Sequence, residues 1–432
     1  MATERLGAAG KVTNMLMTDS VLVEIGGNIR RIELSNLRDV INEGGENLLR
    51  QIAWGIEIRD YQSATDWSAS KIGNWLMWQE YESMCGRYML AKNGKIAKLN
   101  PADSMIFTDG TSVTGSSAKG HDFMYYQPEY YYLVKTEPLT GKKYLWQSMY
   151  PIGGKKMDAM CIGAFKGIVD NRALRSLISV VPTTNKTIVE FWNAAQVNGP
   201  DFGITNYEHR VAMVIKALMK FGSTYTQGEL GYGVCGSVVA DLLTQSNALK
   251  TGHTTGLGDS YSSYNITLTG GTNCSRVSLG GIEDPYGWQG EMIQGVYCGN
   301  SYNAAQNGTE IFIYKGNRLP SDGELKTKPN GEYRQLTRLI TSGWIQEIIA
   351  GDNFDIFSSK TGGGSSSYWT DYYWANSDGQ LVFCGGKAND GTLGGLAAVY
   401  LSNPWSYSHT DLNARLAYYG PLQFVSGKEL MA

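Results

Sequence analysis

The 432-residue chain is long enough to bury a substantial core and to divide into more than one domain. Charged residues make up only 18% and the formal net charge is −3, which argues against nucleic acid or an acidic membrane surface as a partner. No apolar run reaches membrane length, so no membrane insertion is expected.

Residues 1–50 read as a small leading unit. Residues 17–32 alternate on both sides of Gly26-Gly27-Asn28, the pattern of a hairpin. Ser35 is placed to cap a short helix over 36–41 that stops at Gly44-Gly45. A unit of this size buries too little surface alone and implies a partner. Residues 51–120 read as a spacer. Within 72–89, Trp75, Met77, Trp78 and Tyr81 recur at helical spacing as a packing stripe, and the Gly- and Ser-rich run 110–120 marks a boundary.

A large domain is expected over 121–432. Residues 129–137 and 142–150 are strand-like and joined by the turn signal Pro138-Leu-Thr-Gly141. Two helices follow. Thr187-Ile-Val-Glu190 is a capping box ahead of the stripe Ile188, Phe191, Trp192 and Ala195. Thr205-Asn-Tyr-Glu208 repeats the device, with Val211, Val214, Ile215 and Leu218 inward and Gly222 as terminator. Beyond Gly231 the chain turns to loops and short strands, including 310–314, and Gly362-Gly-Gly-Ser-Ser-Ser367 reads as a surface loop.

The last stretch is the most unusual. Apolar runs 381–383, 396–401 and 414–418 read as buried strands, separated by loops built from Tyr, Trp, Ser, Asn, Asp, Thr and Gly. Tyr and Trp give contact area at little entropic cost, while Ser, Asn and Gly adapt their hydrogen bonding, so this is the composition of a recognition surface. The candidate contacts are Tyr368, Trp369, Asp371, Tyr372, Tyr373, Asn376, Asn389, Asp390, Thr392, Tyr400, Asn403, Trp405, Tyr407 and His409, with Tyr400 and Trp405 weighed against packing roles. Lys387 reads as a rim charge.

Signatures of catalysis are missing. There is no HExxH, GxSxG or GxxxxGK[ST], and the four histidines (His121, His209, His253, His409) form no close pair. Gly231-Tyr-Gly233-Val-Cys-Gly236 matches GxGxxG but lacks the strand a dinucleotide site needs before it. Cys235 has no base identifiable by spacing, and His209 reads as a capping or packing residue. Asp284-Pro-Tyr-Gly-Trp-Gln-Gly-Glu291 admits calcium between its carboxylates, but a buried structural turn around Trp288 is the preferred reading. Six scattered Cys without a CxxC pair read as buried thiols, with disulfides or zinc as alternatives. No enzyme activity, cofactor or metal is expected. The N-terminal Met-Ala-Thr-Glu-Arg-Leu-Gly has no apolar signal core, so synthesis in a cytoplasm without a cleaved export signal is expected.

Over roughly residues 121–432 the chain resembles phage receptor-binding proteins with a C-type-lectin fold of the formylglycine-generating-enzyme-like type, including the variable proteins of diversity-generating retroelements. Residues 146–154 and 162–167 are similar to the early strands of those domains, and 191–222 to their paired helices. Gly280-Gly-Ile-Glu-Asp-Pro-Tyr-Gly-Trp-Gln-Gly-Glu-Met-Ile-Gln-Gly295 resembles their central strand motif. Gly385-Gly, Gly391, Gly395-Leu and Ala414-Arg-Leu-Ala resemble their closing strands. Residues 20–35 are similar to the virion-attachment ends of tail fibres.

The resemblance implies an α+β fold with short twisted antiparallel strands, two helices and long loops. It implies a tail-fibre or tail-tip protein of the virion, docked to other tail proteins through residues 1–50. The lectin-like face would hold a host cell-surface receptor, glycan or protein. A homotrimer is expected, since fibre proteins of this kind close as cyclic oligomers. The putative variable segment is 366–419. Adenine-directed mutagenesis of Asn codons gives Tyr, Ser, Asp, His and Thr but not Trp, so Trp369, Trp374 and Trp405 read as fixed scaffold or anchors. A structural tail or baseplate protein without its own receptor, and an enzyme on the same fold, are the alternatives.

Overall fold

The computed structural model describes residues 20–25, 28–33, 46–59, 69–137, 141–235, 249–267, 273–298, 309–321, 324, 333–351 and 353–432, with side chains from Leu49 onward. The fold is mixed α+β, mostly sheet with few helices. The leading hairpin forms as its alternation requires. Ser20–Ile25 pairs antiparallel with Asn28–Glu33, Ile25 standing opposite Asn28. The short helix expected over 36–41 lies outside the described residues.

Three large sheets make the body. The first orders Lys155–Met157, Tyr130–Thr136, Lys143–Ser148, Trp54–Glu57 and Lys71–Gly73. The second, of eight strands, runs Phe202–Ile204, Leu416–Tyr418, Met160–Gly163, Asp122–Gln127, Gly86–Leu90, Lys95–Asn100 and Gln423–Phe424, with Asp103–Phe107 paired to Lys95–Asn100. The third runs Ser358–Thr361, Gly343–Ile348, Tyr372–Ala375, Val399–Asn403, Leu381–Cys384, Gly290–Met292 and Leu412–Asn413.

The helix Tyr207–Phe221 is packed where these sheets meet. Its residues are buried from Tyr207 through Met219, on every side, as befits a helix in a core rather than on a surface. One apolar cluster joins its Val211, Val214, Ile215 and Leu218 to side chains of all three sheets: Trp54, Ile56 and Leu145, then Tyr125, Ile162 and Ala417, then Ile345, Tyr373 and Val399.

The expected division at residue 120 is therefore corrected. Gly86–Leu90 lies between Lys95–Asn100 and Asp122–Gln127, and Trp54–Glu57 pairs with Lys143–Ser148, so residues 51–120 are woven into the large domain rather than set before it as a spacer. The helix Glu46–Ile52 also crosses the boundary drawn at 50, and its Leu49 and Ile52 pack with Ile72, Tyr144 and Trp146.

Local signals hold with small shifts. Thr187 and Glu190 form the capping box of helix Ile188–Gln196. On the second helix the cap is Asn206, one residue later than expected. Its side chain accepts from the His209 amide at 2.8 Å, and His209 Nδ1 accepts from the Asn206 amide at 3.4 Å. Gly222 ends that helix in the left-handed region, as expected. The run 396–401 becomes strand only over Val399–Asn403. Of the run 414–418 only Leu416–Tyr418 is strand, in the second sheet, while Leu412–Asn413 just before it closes the third.

Candidate functional site

The third sheet carries a row of aromatic rings across one face. Trp344 stands opposite Tyr372, and Trp374 and Phe383 each stand opposite Tyr400. Strand alternation puts Tyr372 and Trp374 on this face and turns Tyr373 to the other, where it is fully buried and its hydroxyl donates to the Leu339 carbonyl. The rings are in contact: Trp344 to Tyr372 at 5.7 Å, Tyr372 to Trp374 at 4.8 Å, Trp374 to Tyr400 stacked at 3.8 Å and Tyr400 to Phe383 stacked at 4.3 Å. Tyr400 is enclosed between its two neighbours. Trp344, Tyr372 and Trp374 remain half-exposed.

A polar chain continues from Tyr400. Its hydroxyl donates to the Asp390 carboxylate, which also accepts from the Lys387 amide at 2.7 Å. Lys387 Nζ lies 2.7 Å from Asp411 Oδ2, and Asp411 Oδ1 lies 2.7 Å from His409 Nδ1. The His409 ring faces Tyr407 at 6.0 Å, nearly parallel. Burial, with the Asp390 charge beside it, pushes the Tyr400 phenol far up, so it stays a donor. Burial also raises the Asp390 carboxyl, against the hydrogen bonds from Tyr400 and the Lys387 amide. Burial works against the charge of Lys387, but Asp411 outweighs it and its pKa is raised. The result is a hydrogen-bonded, ion-paired rim beside an apolar row.

Of the fourteen nominated contacts, this arrangement brings together Tyr372, Asp390, Tyr400, Tyr407 and His409. Asn376, Asn389 and Thr392 are exposed, and Tyr368 and Asn403 half-buried. Asn376 is held by its own turn, accepting from the Asp378 amide and donating to the Ser402 carbonyl.

Five nominations are corrected as contacts because their side chains are buried: Trp369, Asp371, Tyr373, Tyr400 and Trp405. Trp369 and Tyr373 join the core around the central helix, and Trp405 packs edge-on against Tyr297. Asp371 accepts from the Ala397 amide at 2.7 Å and has no water-facing atom to offer. Tyr400 acts from beneath, as the ring on which Trp374 lies. Trp344, Trp374 and Asp411 belong to the arrangement but not to the sequence-based candidate contacts. The Tyr372/Trp374 alternation could have found Trp374, whereas Trp344 reaches the row only through strand pairing. Lys387, read as a rim charge, is tied into the polar chain.

The Asp284–Glu291 motif is a structural turn. Asp284 pairs with Arg276, whose guanidinium also covers Trp288 at 4.5 Å. Glu291 pairs with Arg415 at 3.2 Å and Lys166 at 3.8 Å, all three buried. Both carboxylates already have cationic partners, and among the described residues no group of three or more His, Cys, Asp or Glu could hold a metal. Cys235 is buried, and burial pushes its thiol well up, which removes nucleophilic character. The segment before Gly231 is the helix Thr226–Leu230, not the strand a dinucleotide fingerprint requires. In comparison with known proteins, no family model matches the chain and no curated sequence matches it.

Proposed function

We propose that this chain is the receptor-binding protein of a phage tail, a lectin-type scaffold whose aromatic sheet face holds a host-surface glycan or protein. The observation that carries the reading is the half-exposed row Trp344, Tyr372 and Trp374, backed by buried Tyr400 and bordered by the chain from Asp390 to Tyr407. Exposed aromatic rings in fixed orientation, next to hydrogen-bonding groups, are what central contacts of a recognition site require. The lectin-type assignment draws support from the third sheet, where Gly290–Met292 of the central motif pairs with Leu381–Cys384 and Leu412–Asn413 of the closing segment. The leading hairpin is the proposed virion dock, and a homotrimer would repeat the site three times.

The test is binding of the labelled chain to a panel of bacterial isolates, with Trp344→Ala and Tyr372→Ala beside the parent. Loss of a central ring weakens binding by about 2 kcal/mol, roughly thirty-fold, with an unchanged thermal melt. Equal binding by parent and both variants, or a gene lying among metabolic rather than tail genes, would overturn the proposal.

A further inference from the structure

A second concave surface lies beside the polar rim and has a different chemistry. It is a cleft of about 560 Å³ between the turn Gly231–Gly233, the hairpin Tyr261–Thr267 with Asn273–Leu279, and the turn at Gly391–Thr392. Ser263 and Asn265 share one face of the hairpin by alternation, and Ser275 stands opposite Asn265 on the partner strand. Tyr232, 44% exposed, supplies an aromatic wall.

The cleft is held open by its surroundings. Tyr286 Oη donates to the Gly231 carbonyl at 2.6 Å, Ser275 Oγ accepts from the Gly233 amide at 3.1 Å, and Gln227 Nε2 donates to the Gly391 carbonyl at 3.1 Å. Gly231 has φ +95°, and a Cβ there would stand 3.3 Å from Ser275 Oγ, so glycine keeps this floor clear. Beneath it, Val234, Cys274 and Trp288 form a small apolar cluster that fixes the walls from below. Among the described residues, the side chains of Ser263, Asn265 and Thr392 have no hydrogen-bond partner and are left to an external one.

The lining sets the ligand class. Among the described residues it holds hydroxyls, amides, the Cys274 thiol, glycine backbone and one phenol ring, and no acidic or basic side chain. A charged ligand would lose hydration without gaining a counter-charge, and a purely apolar one would find no aliphatic wall. The volume falls within the ordinary range for small-molecule sites, about 300–1,000 Å³. We propose that this cleft binds an uncharged saccharide unit, its C–H face on Tyr232 and its hydroxyls on Ser263, Asn265 and Thr392.

The inference names a ligand class for a site adjoining the aromatic row, and it stands whether or not that row grips a receptor. The experiment is saturation-transfer NMR and titration calorimetry on the full chain. The probes are methyl glycosides of glucose, galactose, mannose and N-acetylglucosamine, with glucuronate and sialic acid as charged comparisons. At least one neutral glycoside receives saturation, and Tyr232→Ala and Asn265→Ala each weaken its binding by about ten-fold. Both positions are exposed, so a thermal melt shows that each variant is folded. Tyr372→Ala leaves glycoside binding unchanged whatever it does to cell attachment, which separates this site from the row. No neutral glycoside bound, preference for the charged sugars, or equal affinity in parent and both variants would overturn the proposal.

Discussion

Replacing Glu291 with Gln removes the one carboxylate within ion-pair distance of both Arg415 and Lys166 among the described residues. All three side chains are at most 1% exposed. Burial opposes the charge of Glu291, but Arg415 and Lys166 outweigh it and hold its pKa at about 2. Breaking such a pair leaves uncompensated buried charge and costs about 3–5 kcal/mol. Carbonyls of Gly163, Glu283 and Asp284 still accept from Arg415, and that of Gln289 from Lys166, which places the expected loss near the lower figure. Against a total stability of about 5–15 kcal/mol this is a large fraction.

The loss also depends on pH. Burial pushes Lys166 down to about 7 even with Glu291 present, so without that carboxylate the ammonium sheds its proton more readily and part of the cost disappears in alkali. Urea unfolding followed by tryptophan fluorescence at pH ~6 and ~9 measures both effects, the loss being larger at the lower pH. Adding Lys166→Met to Glu291→Gln recovers stability at the lower pH, because it removes one stranded cation. A loss under about 1 kcal/mol, or no recovery in the double variant, would refute the view that this ion cluster ties the central motif to the closing strands.

Two further outcomes follow from buried titratable groups. Burial pushes His209 down to about 3 from an ordinary 6.5, so its neutral form contributes stability that is full above pH 6.5 and lost toward pH 3. The loss is about 1.4 kcal/mol per pH unit, and urea titrations of parent and His209→Gln should show it flattened in the variant; parallel curves would count against the assignment. Burial also pushes the Asp371 carboxyl well up, against the Ala397 amide and Arg210, so Asp371→Asn keeps the acceptor and costs less than about 1 kcal/mol at pH ~5. As pH rises the parent bears the growing cost of an ionising buried carboxyl, and the variant gains on it. A variant much less stable than the parent at every pH would mean that the carboxylate is charged in the fold.

Much of the local structure was legible because it depends on neighbours in sequence. Gly26-Gly27 between alternating runs announced the hairpin, and Thr187 with Glu190 announced the helix start. Composition also marked the terminal stretch as unusual. It did not say which side of each strand faces water, although period-two alternation already separates Tyr372 from Tyr373. The rest depends on distant pairing. Tyr372–Ala375 runs parallel to Val399–Asn403, and only that register lays Trp374 on Tyr400. Likewise, Gly86–Leu90 enters the second sheet through partners far along the chain, which no local spacer signal can reveal.

The burial of Tyr400 and the exposure of Trp374 belong to one device. An isolated surface tryptophan would sample several rotamers and lose that freedom on binding, at about 0.5–1.5 kcal/mol for an immobilised side chain. Here Trp374 already lies against a packed ring, since Tyr400 has Phe383 on its far side and Asp390 at its hydroxyl. Asn389 and Thr392 flank Asp390 on the same loop and remain exposed. Substitution at those two positions changes the groups offered to a ligand while the Phe383–Tyr400–Trp374 stack stays intact. On the proposed reading, a face built this way can change specificity by loop substitution without forfeiting its ring contact.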